Sequence, residues 1–377
     1  MATQVRALAA GALLVAAAIM PAAKADELSA AYASVLSNPT DSEINLQYAL
    51  VAEGMRKWRL ALATYERILQ NDPGNKAARA GLQRVRRIIE PNWTRIHTEL
   101  GVTYNSNALH DPASPNGEVL GFGSLRVTDE RTLGMTRWRS GVTLYGEAHS
   151  EQSDLSTIYL SAETGPVWNI PGILAAFHPT IGAATGYFEG RFAYWEVNTS
   201  ASIEGYLDGA LQWARVRAGY RDYAAFFTTN AGYYIGADAR LVHSIVPGQG
   251  DALSVAPWFL YSNIDGSVLD STLNQITPGR YTAEGVHVEY DFALGNRLSV
   301  GPFVDVGNWR YATDVAPSGA ARNDLVVAPG VNVLFRNIFN VAQTNLRLQY
   351  KYSMGNSNDD AHDYTNHAVT LAIVSNR

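Results

Sequence analysis

Alternation of apolar and polar side chains with a period of two, from Trp93 to the end of the chain, constrains the fold more than any other feature of the sequence. Near the C-terminus, for example, Leu346 and Leu348 alternate with Arg347 and Gln349. Because successive side chains of a β-strand point to opposite faces, this pattern predicts strands with one apolar face and one polar face.

Fourteen such runs follow one another along the last 285 residues. Most reach the ~9–11 residues that a tilted strand needs to cross a bilayer, whereas the strands of a soluble sandwich average ~5–6 residues. The runs cover 93–104, 118–128, 132–146, 154–168, 173–187, 191–207, 210–224, 231–246, 252–264, 280–294, 297–312, 324–336, 342–354 and 364–375.

The connections between these runs alternate between short segments and mostly longer ones. Outer-membrane barrels have short periplasmic turns and long external loops. An even number of strands also leaves both ends of the barrel on the side of the N-terminal region. The sequence therefore predicts a transmembrane antiparallel β-barrel of about 14 strands over residues 91–377, surrounded by the lipid of a Gram-negative outer membrane.

The first 25 residues have the pattern of a secretory signal peptide. Arg6 precedes an apolar run over 8–22, and Ala23-Lys24-Ala25 is a small-x-small cleavage site before Asp26. A membrane anchor is the alternative, and the shortness of the run favours the signal peptide.

Composition excludes several classes of protein. The chain has 29 basic and 35 acidic residues, a net charge of −6, so it has no overall basic field for a nucleic-acid partner. Cysteine is absent, which excludes disulfides, thiolate metal sites and cysteine nucleophiles. We find none of the HExxH, GxSxG or GxxxxGK[ST] motifs, and therefore expect no catalytic residues, no metal and no cofactor.

Residues 26–90 are rich in Ala, Leu and Arg and predict a small all-α domain, interrupted at 38–41 (NPTD) and 72–75 (DPGN). Between these breaks, small, aromatic and apolar residues follow the tetratricopeptide rhythm. They are Ala49, Trp58, Ala61, Tyr65, Ile68 and Pro73. We interpret Trp58 and Tyr65 as core residues rather than ligand contacts.

The last predicted helix, over 76–89, is basic along one side. Its candidate residues for binding an acidic periplasmic partner are Arg79, Arg84, Arg86 and Arg87, with a solvated face as the alternative. The link to the barrel is very short, so we expect the helical domain to dock at the periplasmic mouth as a plug or a receiving platform. The predicted acidic partners in the periplasmic turns are Asp129, Glu130, Asp208 and Asp251.

A tetratricopeptide-like region joined to a C-terminal barrel resembles the surface lipoprotein assembly modifier (Slam) family. The segments 101–107 (GVTYNSN) and 75–79 (NKAAR) carry the same resemblance. It implies a 14-stranded barrel and a translocon that passes lipoproteins or secreted proteins to the cell surface.

Charged residues on the predicted inner face are nearly balanced, with nine basic and seven acidic members. Balance favours ion pairs across strands over a strongly selective pore. Arg137, Arg139, Arg215 and Arg217 are the best candidates for substrate contact, and Glu289, Asp291, Arg347 and Lys351 complete the candidate set. The expected function is export of a protein client; the alternative is a porin or an exopolysaccharide-conducting channel.

Overall fold

The computed structural model describes residues 24–89, 92–110, 112–113, 115–133, 136–170, 175–207, 210–224, 231–245, 251–264, 268–269, 275–277, 279–295, 297–338, 341 and 343–377. Apart from Lys24 and Ala25, the predicted signal peptide lies outside these residues. No helix in the described part of the chain is long and apolar enough to cross a membrane.

Four helices precede the barrel: α1 (Lys24–Ser37), α2 (Ser42–Gly54), α3 (Trp58–Asn71) and α4 (Lys76–Ile89). The predicted breaks separate α1 from α2 and α3 from α4. Asp41 caps α2, because its Oδ1 accepts the backbone N–H groups of Glu43 at 2.8 Å and Ile44 at 3.1 Å. Small and apolar side chains form a buried core between the helices; they include Ala49, Ala52, Ala61, Tyr65 and Ile68. Tyr65 is thus a core residue, as the sequence indicated.

A buried ionic network joins α2, α3 and α4. The Arg84 guanidinium makes two bonds to the Glu53 carboxylate, and Tyr65 donates its hydroxyl to Glu53 Oε2 at 2.8 Å. Burial and the adjacent Glu53 carboxylate raise the pKa of Tyr65 far above its usual value, so its hydroxyl stays protonated and donates. Arg84 is only 6% exposed, so the prediction that it is presented to a partner is wrong.

Fourteen antiparallel strands form a closed barrel in which each strand pairs with its chain neighbours and the last pairs with the first. They are β1 (Trp93–Asn105), β2 (Glu118–Leu133), β3 (Thr136–His149), β4 (Thr157–Ile170), β5 (Ala175–Phe188), β6 (Arg191–Leu207), β7 (Ala210–Tyr223), β8 (Ala231–His243), β9 (Ala252–Ser262), β10 (Tyr281–Ala293), β11 (Leu298–Val315), β12 (Ala321–Phe335), β13 (Thr344–Ser357) and β14 (Tyr364–Asn376). The fold prediction of a 14-stranded barrel with N-terminal helices is confirmed.

The outer face of the barrel is apolar and exposed. Leu100 is 67% exposed and Ile181 is 69% exposed, and the same face of other strands carries Val216, Leu241 and Ile373. Closure leaves no sheet edge unpaired, which is the condition for strands in hydrocarbon. The connections on the helix side have two to eight residues, whereas the opposite end includes one of 18, at 263–280. The helix side is therefore the periplasmic end.

The first periplasmic turn lies further along the chain than predicted. Sequence alternation placed a turn at 129–131, but β2 continues to Leu133, which pairs with Thr136. Glu130 stays in the strand because it points inwards and forms ion pairs with Arg137 and Arg139. Charge compensation inside the barrel thus overrides the usual preference of acidic residues for turns.

Large aromatic side chains of the inner face lie flat over glycines of neighbouring strands. A Cβ at Gly186 would be 2.2 Å from the Tyr194 ring, and one at Gly219 would be 2.6 Å from the Tyr234 ring. The absence of a side chain at these positions lets each ring lie against the wall rather than project into the lumen.

Replacement of Gly186 by alanine should therefore lower the free energy of unfolding of the barrel by about 1–3 kcal/mol, the usual cost of overpacking. Denaturant titration in detergent, followed by the heat-sensitive gel mobility of folded barrels, measures this change. Gly121→Ala is the matched control, because a Cβ there meets nothing within 4 Å. Equal midpoints for the two variants would contradict the packing argument.

Candidate functional site

The polar faces of the strands line a lumen with two cavities. One cavity, of about 270 Å³, lies between β2 and β10. The other, of about 580 Å³, lies against β1–β3 and β11–β14. Hydroxyl and amide side chains separate the charged groups in both. The lumen is therefore the candidate site, and its charges fall into a few distinct groups.

The predicted pair Arg137 and Arg139 forms part of an ion-pair cluster near the periplasmic end. Glu130, which is fully buried, accepts Arg137 Nη1 and Arg139 Nε at 2.8 Å each. Arg139 also binds Glu204, with Nη2 to Oε1 at 2.6 Å. The charges of both arginines are therefore paired with carboxylates of the barrel wall, as the balanced charge count indicated. The sequence did not identify Glu130 as a lumen residue, because Glu130 fell in the predicted turn and not in an alternating strand.

Arg215 and Arg221 lie in the smaller cavity and are likewise paired. Arg215 binds Asp238 with nitrogen–oxygen distances of 3.0 and 3.2 Å. Arg221 binds Glu196 Oε2 at 2.8 Å, and its guanidinium lies 4.3 Å from the centroid of the Tyr194 ring. Both side chains are thus held against the wall by a carboxylate on an adjacent strand.

Arg126, Arg217 and Glu163 line the same cavity, and none of them forms an ion pair within the described part of the chain. Arg126 Nε donates to Thr143 Oγ1 at 3.3 Å, which is a neutral acceptor. Arg217 was predicted, whereas Arg126 and Glu163 were not. Their position on the alternating face of β2 and β4 was the signal that could have found them.

The larger cavity contains Arg347, Lys351 and an external loop residue, His110. Arg347 is bonded to Glu99 on β1. His110 stacks on Tyr364, with ring centroids 4.0 Å apart. Burial and the nearby Lys351 ammonium lower the pKa of His110, so this imidazole is neutral at pH 7. The first external loop therefore folds back onto the inner wall.

Glu289 belongs to a polar group on β10–β12. Its carboxylate accepts Asn332 Nδ2 at 2.8 Å and lies 3.6 Å from His287 Nε2. His287 Nδ1 lies 2.6 Å from Asp305 Oδ1. A His–carboxylate pair alone provides neither a nucleophile nor an oxyanion site, so the arrangement supports a structural role.

Asp291 connects the barrel to the helical region. Its Oδ2 lies 2.6 Å from Lys76 Nζ at the start of α4 and 4.0 Å from Arg336 Nη2. Because Lys76 and Arg336 share this oxygen, the first turn of α4 lies beside the connection after β12. Desolvation and the Arg336 guanidinium lower the pKa of Arg79. The helical region thus docks at the periplasmic mouth, as predicted, and one contact is made by Asp291, which was not among the predicted acidic partners.

Three of the four predicted turn acids are described, and each of them binds another residue of the barrel domain. Asp129 binds Arg131, and Asp251 accepts the Ser244 hydroxyl at 2.7 Å. Asp208 lies outside the described residues.

The direction of α4 follows from its two ends. It starts beside β10 and ends four residues before β1, and these strands are five positions apart around the 14-strand wall. A straight helix of 14 residues is about 21 Å long. A straight line that joins two strands this far apart crosses the mouth of the barrel instead of following its rim. In addition, α4 has Cα atoms within 8 Å of β7. The helix therefore lies across the mouth.

The other basic residues of α4 differ in their surroundings. Arg79 donates to the Pro73 carbonyl oxygen at 2.6 Å. Arg86 pairs with Glu66 on α3 at 2.8 Å, and both side chains are more than 40% exposed. The side chain of Arg87 lies outside the described part. No group of three or more His, Cys, Asp or Glu side chains suited to a metal ion occurs among the described residues.

Several solved outer-membrane structures are similar to this chain in fold. OpdK of Pseudomonas aeruginosa has 10% identity and a TM-score of 0.36 over 76% of this chain and 99% of its own. The channel DcaP of Acinetobacter baumannii has 9% identity and a TM-score of 0.43 over 76% and 97%. Omp33 of the same species has 10% identity and a TM-score of 0.36 over 74% and 98%.

No family model and no curated protein matches the chain. The resemblance to the surface lipoprotein assembly modifier family therefore stays a prediction. The closed barrel, its apolar outer face and its charged lumen define the class of protein: a transmembrane β-barrel of the Gram-negative outer-membrane type.

Proposed function

We propose that the protein is an outer-membrane channel for small polar solutes, with its helical region seated at the periplasmic mouth. The observation that carries this proposal is the lumen, whose cavities of about 270 and 580 Å³ are lined by charged and hydroxyl side chains. Volumes of this size hold small molecules. Most lumen charges are paired across strands, which holds them against the wall.

Permeation into proteoliposomes tests the proposal. The full chain should admit small sugars and amino acids and exclude a large dextran, as measured by the rate of osmotic swelling. Protein-free liposomes give the baseline. A swelling rate equal to that baseline for every solute, from a sample with folded-barrel gel mobility, would overturn the channel function.

Export of a protein client, the expected main function, is the second candidate. The observation that favours it is the contact between Lys76 and Asp291, which places helices where a periplasmic client would meet the lumen. The test measures how much of a secreted protein, encoded by a gene next to the gene of this protein, is displayed at the cell surface. Loss of display after deletion of residues 26–90 supports export, and unchanged display argues against it.

The remaining assignments belong to the same proposal. Residues 1–25 act as a signal peptide, and 26–90 form a tetratricopeptide-like periplasmic domain that receives a partner. The protein has no catalytic activity and takes no cofactor. Because the helical core buries Tyr65 and Ile68 between the helices, a periplasmic partner would meet exposed side chains such as Arg86 instead.

A further inference from the structure

Arg126 and Arg217 differ from the other arginines of the smaller cavity. The guanidinium groups of Arg215 and Arg221 are held by Asp238 and Glu196. Arg126 and Arg217 have no carboxylate partner among the described residues, although both line the same space. Cations without a carboxylate partner that line a cleft raise the local concentration of anions there.

The surroundings of both side chains leave guanidinium N–H groups available to donate hydrogen bonds to a ligand. Arg217 lies along the wall over Gly236, where an added Cβ would be 2.9 Å from its Nε. Only the Nε of Arg126 bonds to Thr143, so the terminal amino groups of its guanidinium remain for another acceptor. A guanidinium presents two parallel N–H donors, and this fork matches the two oxygens of a carboxylate.

We propose that the smaller cavity is a binding site for a small organic carboxylate, held by Arg126 and Arg217. This inference rests on the proposed channel function and names the solute class. The cavity of about 270 Å³ is of a size that holds a small molecule. The hydroxyl groups of Ser161, Ser200 and Tyr281 face the same space and supply hydrogen bonds to further polar atoms of the ligand.

Glu163 adds a second element of specificity. Its carboxylate lines the cavity and forms no ion pair within the described residues. A second negative charge on the ligand meets this carboxylate and is repelled by it. The site therefore favours a monocarboxylate over a dicarboxylate with the same number of carbon atoms.

Ligand-observed saturation-transfer NMR on the full chain in detergent micelles tests the site with butyrate, succinate, butanol and inorganic phosphate. Butyrate should bind saturably and more tightly than the other three probes. The double variant Arg126→Gln/Arg217→Gln should weaken butyrate binding by at least about tenfold, the effect of one charge-assisted hydrogen bond. Glu163→Gln should strengthen succinate binding and leave butyrate binding nearly unchanged.

The matched control is Arg131→Gln, which removes an exposed arginine paired with Asp129 outside the cavity. Equal butyrate affinity in the double variant and this control, with both folded by gel mobility, would overturn the site. Equal binding of butanol or phosphate would overturn the carboxylate class. Binding is measured without transport, so failure of the swelling assay refutes the channel while leaving this measurement interpretable.

Discussion

Bridging residues 76 and 291 with a reducible cross-linker is expected to lower the single-channel conductance of the full chain, and addition of reductant should restore it. Lys76 and Asp291 are in contact at the mouth, and α4 lies across the opening. The Lys76 and Asp291 side chains are 29% and 31% exposed. A solvent-accessible pair of this kind contributes only ~0–1 kcal/mol, so thermal motion opens it readily. A covalent bridge removes that motion and holds the helix in the path of the solute.

The experiment uses Lys76→Cys/Asp291→Cys and a bis-methanethiosulfonate reagent. The chain contains no cysteine, so only the two introduced thiols react. Each single-cysteine variant controls for labelling, because one thiol accepts the reagent without forming a bridge. If the bridged and the reduced double variants conduct equally, α4 does not obstruct the mouth.

Replacement of Glu53 by alanine is expected to unfold the helical region while the barrel stays intact. Glu53 is 4% exposed and accepts bonds from Arg84 and Tyr65. Its removal leaves the Arg84 charge buried without its carboxylate, which costs about 3–5 kcal/mol. A region of four short helices has little stability to lose, since small domains bury only a modest apolar area. Limited proteolysis should then cleave residues 26–90 rapidly.

Glu66→Ala is the control for this prediction. It removes the exposed partner of Arg86, and such surface pairs contribute ~0–1 kcal/mol. Its helical region should resist protease like the wild type. Protease resistance in Glu53→Ala equal to that of Glu66→Ala would show that the buried network does not hold the helices together.

The barrel could be predicted from sequence because its pattern is repeated in every strand. A strand with one face in lipid and one in the lumen has no freedom to shift by one residue, so alternation fixes register and facing together. The prediction failed at 129–131, where Asp129 and Glu130 suggested a turn. Partner charges on β3 stabilise Glu130 inside the strand, and a single-strand pattern does not contain that information.

The candidate site was only partly predictable for the same reason. Alternation identified Arg215 and Arg217 as inward-facing, but it did not distinguish the arginine held by Asp238 from the one that has no ion pair among the described residues. That distinction depends on strand register. The basic pattern of α4 likewise did not separate Arg84, which is buried against Glu53, from Arg86, which faces solvent.

The conductance of the full chain compared with that of residues 91–377 tests the central claim most directly. Both proteins are inserted into planar bilayers at equal protein concentration, after gel mobility has shown that each barrel is folded. The account predicts ion conduction through both, with a larger single-channel conductance for residues 91–377, because α4 no longer lies across the mouth. Absence of channels in both proteins, or equal conductance of the two, would contradict it.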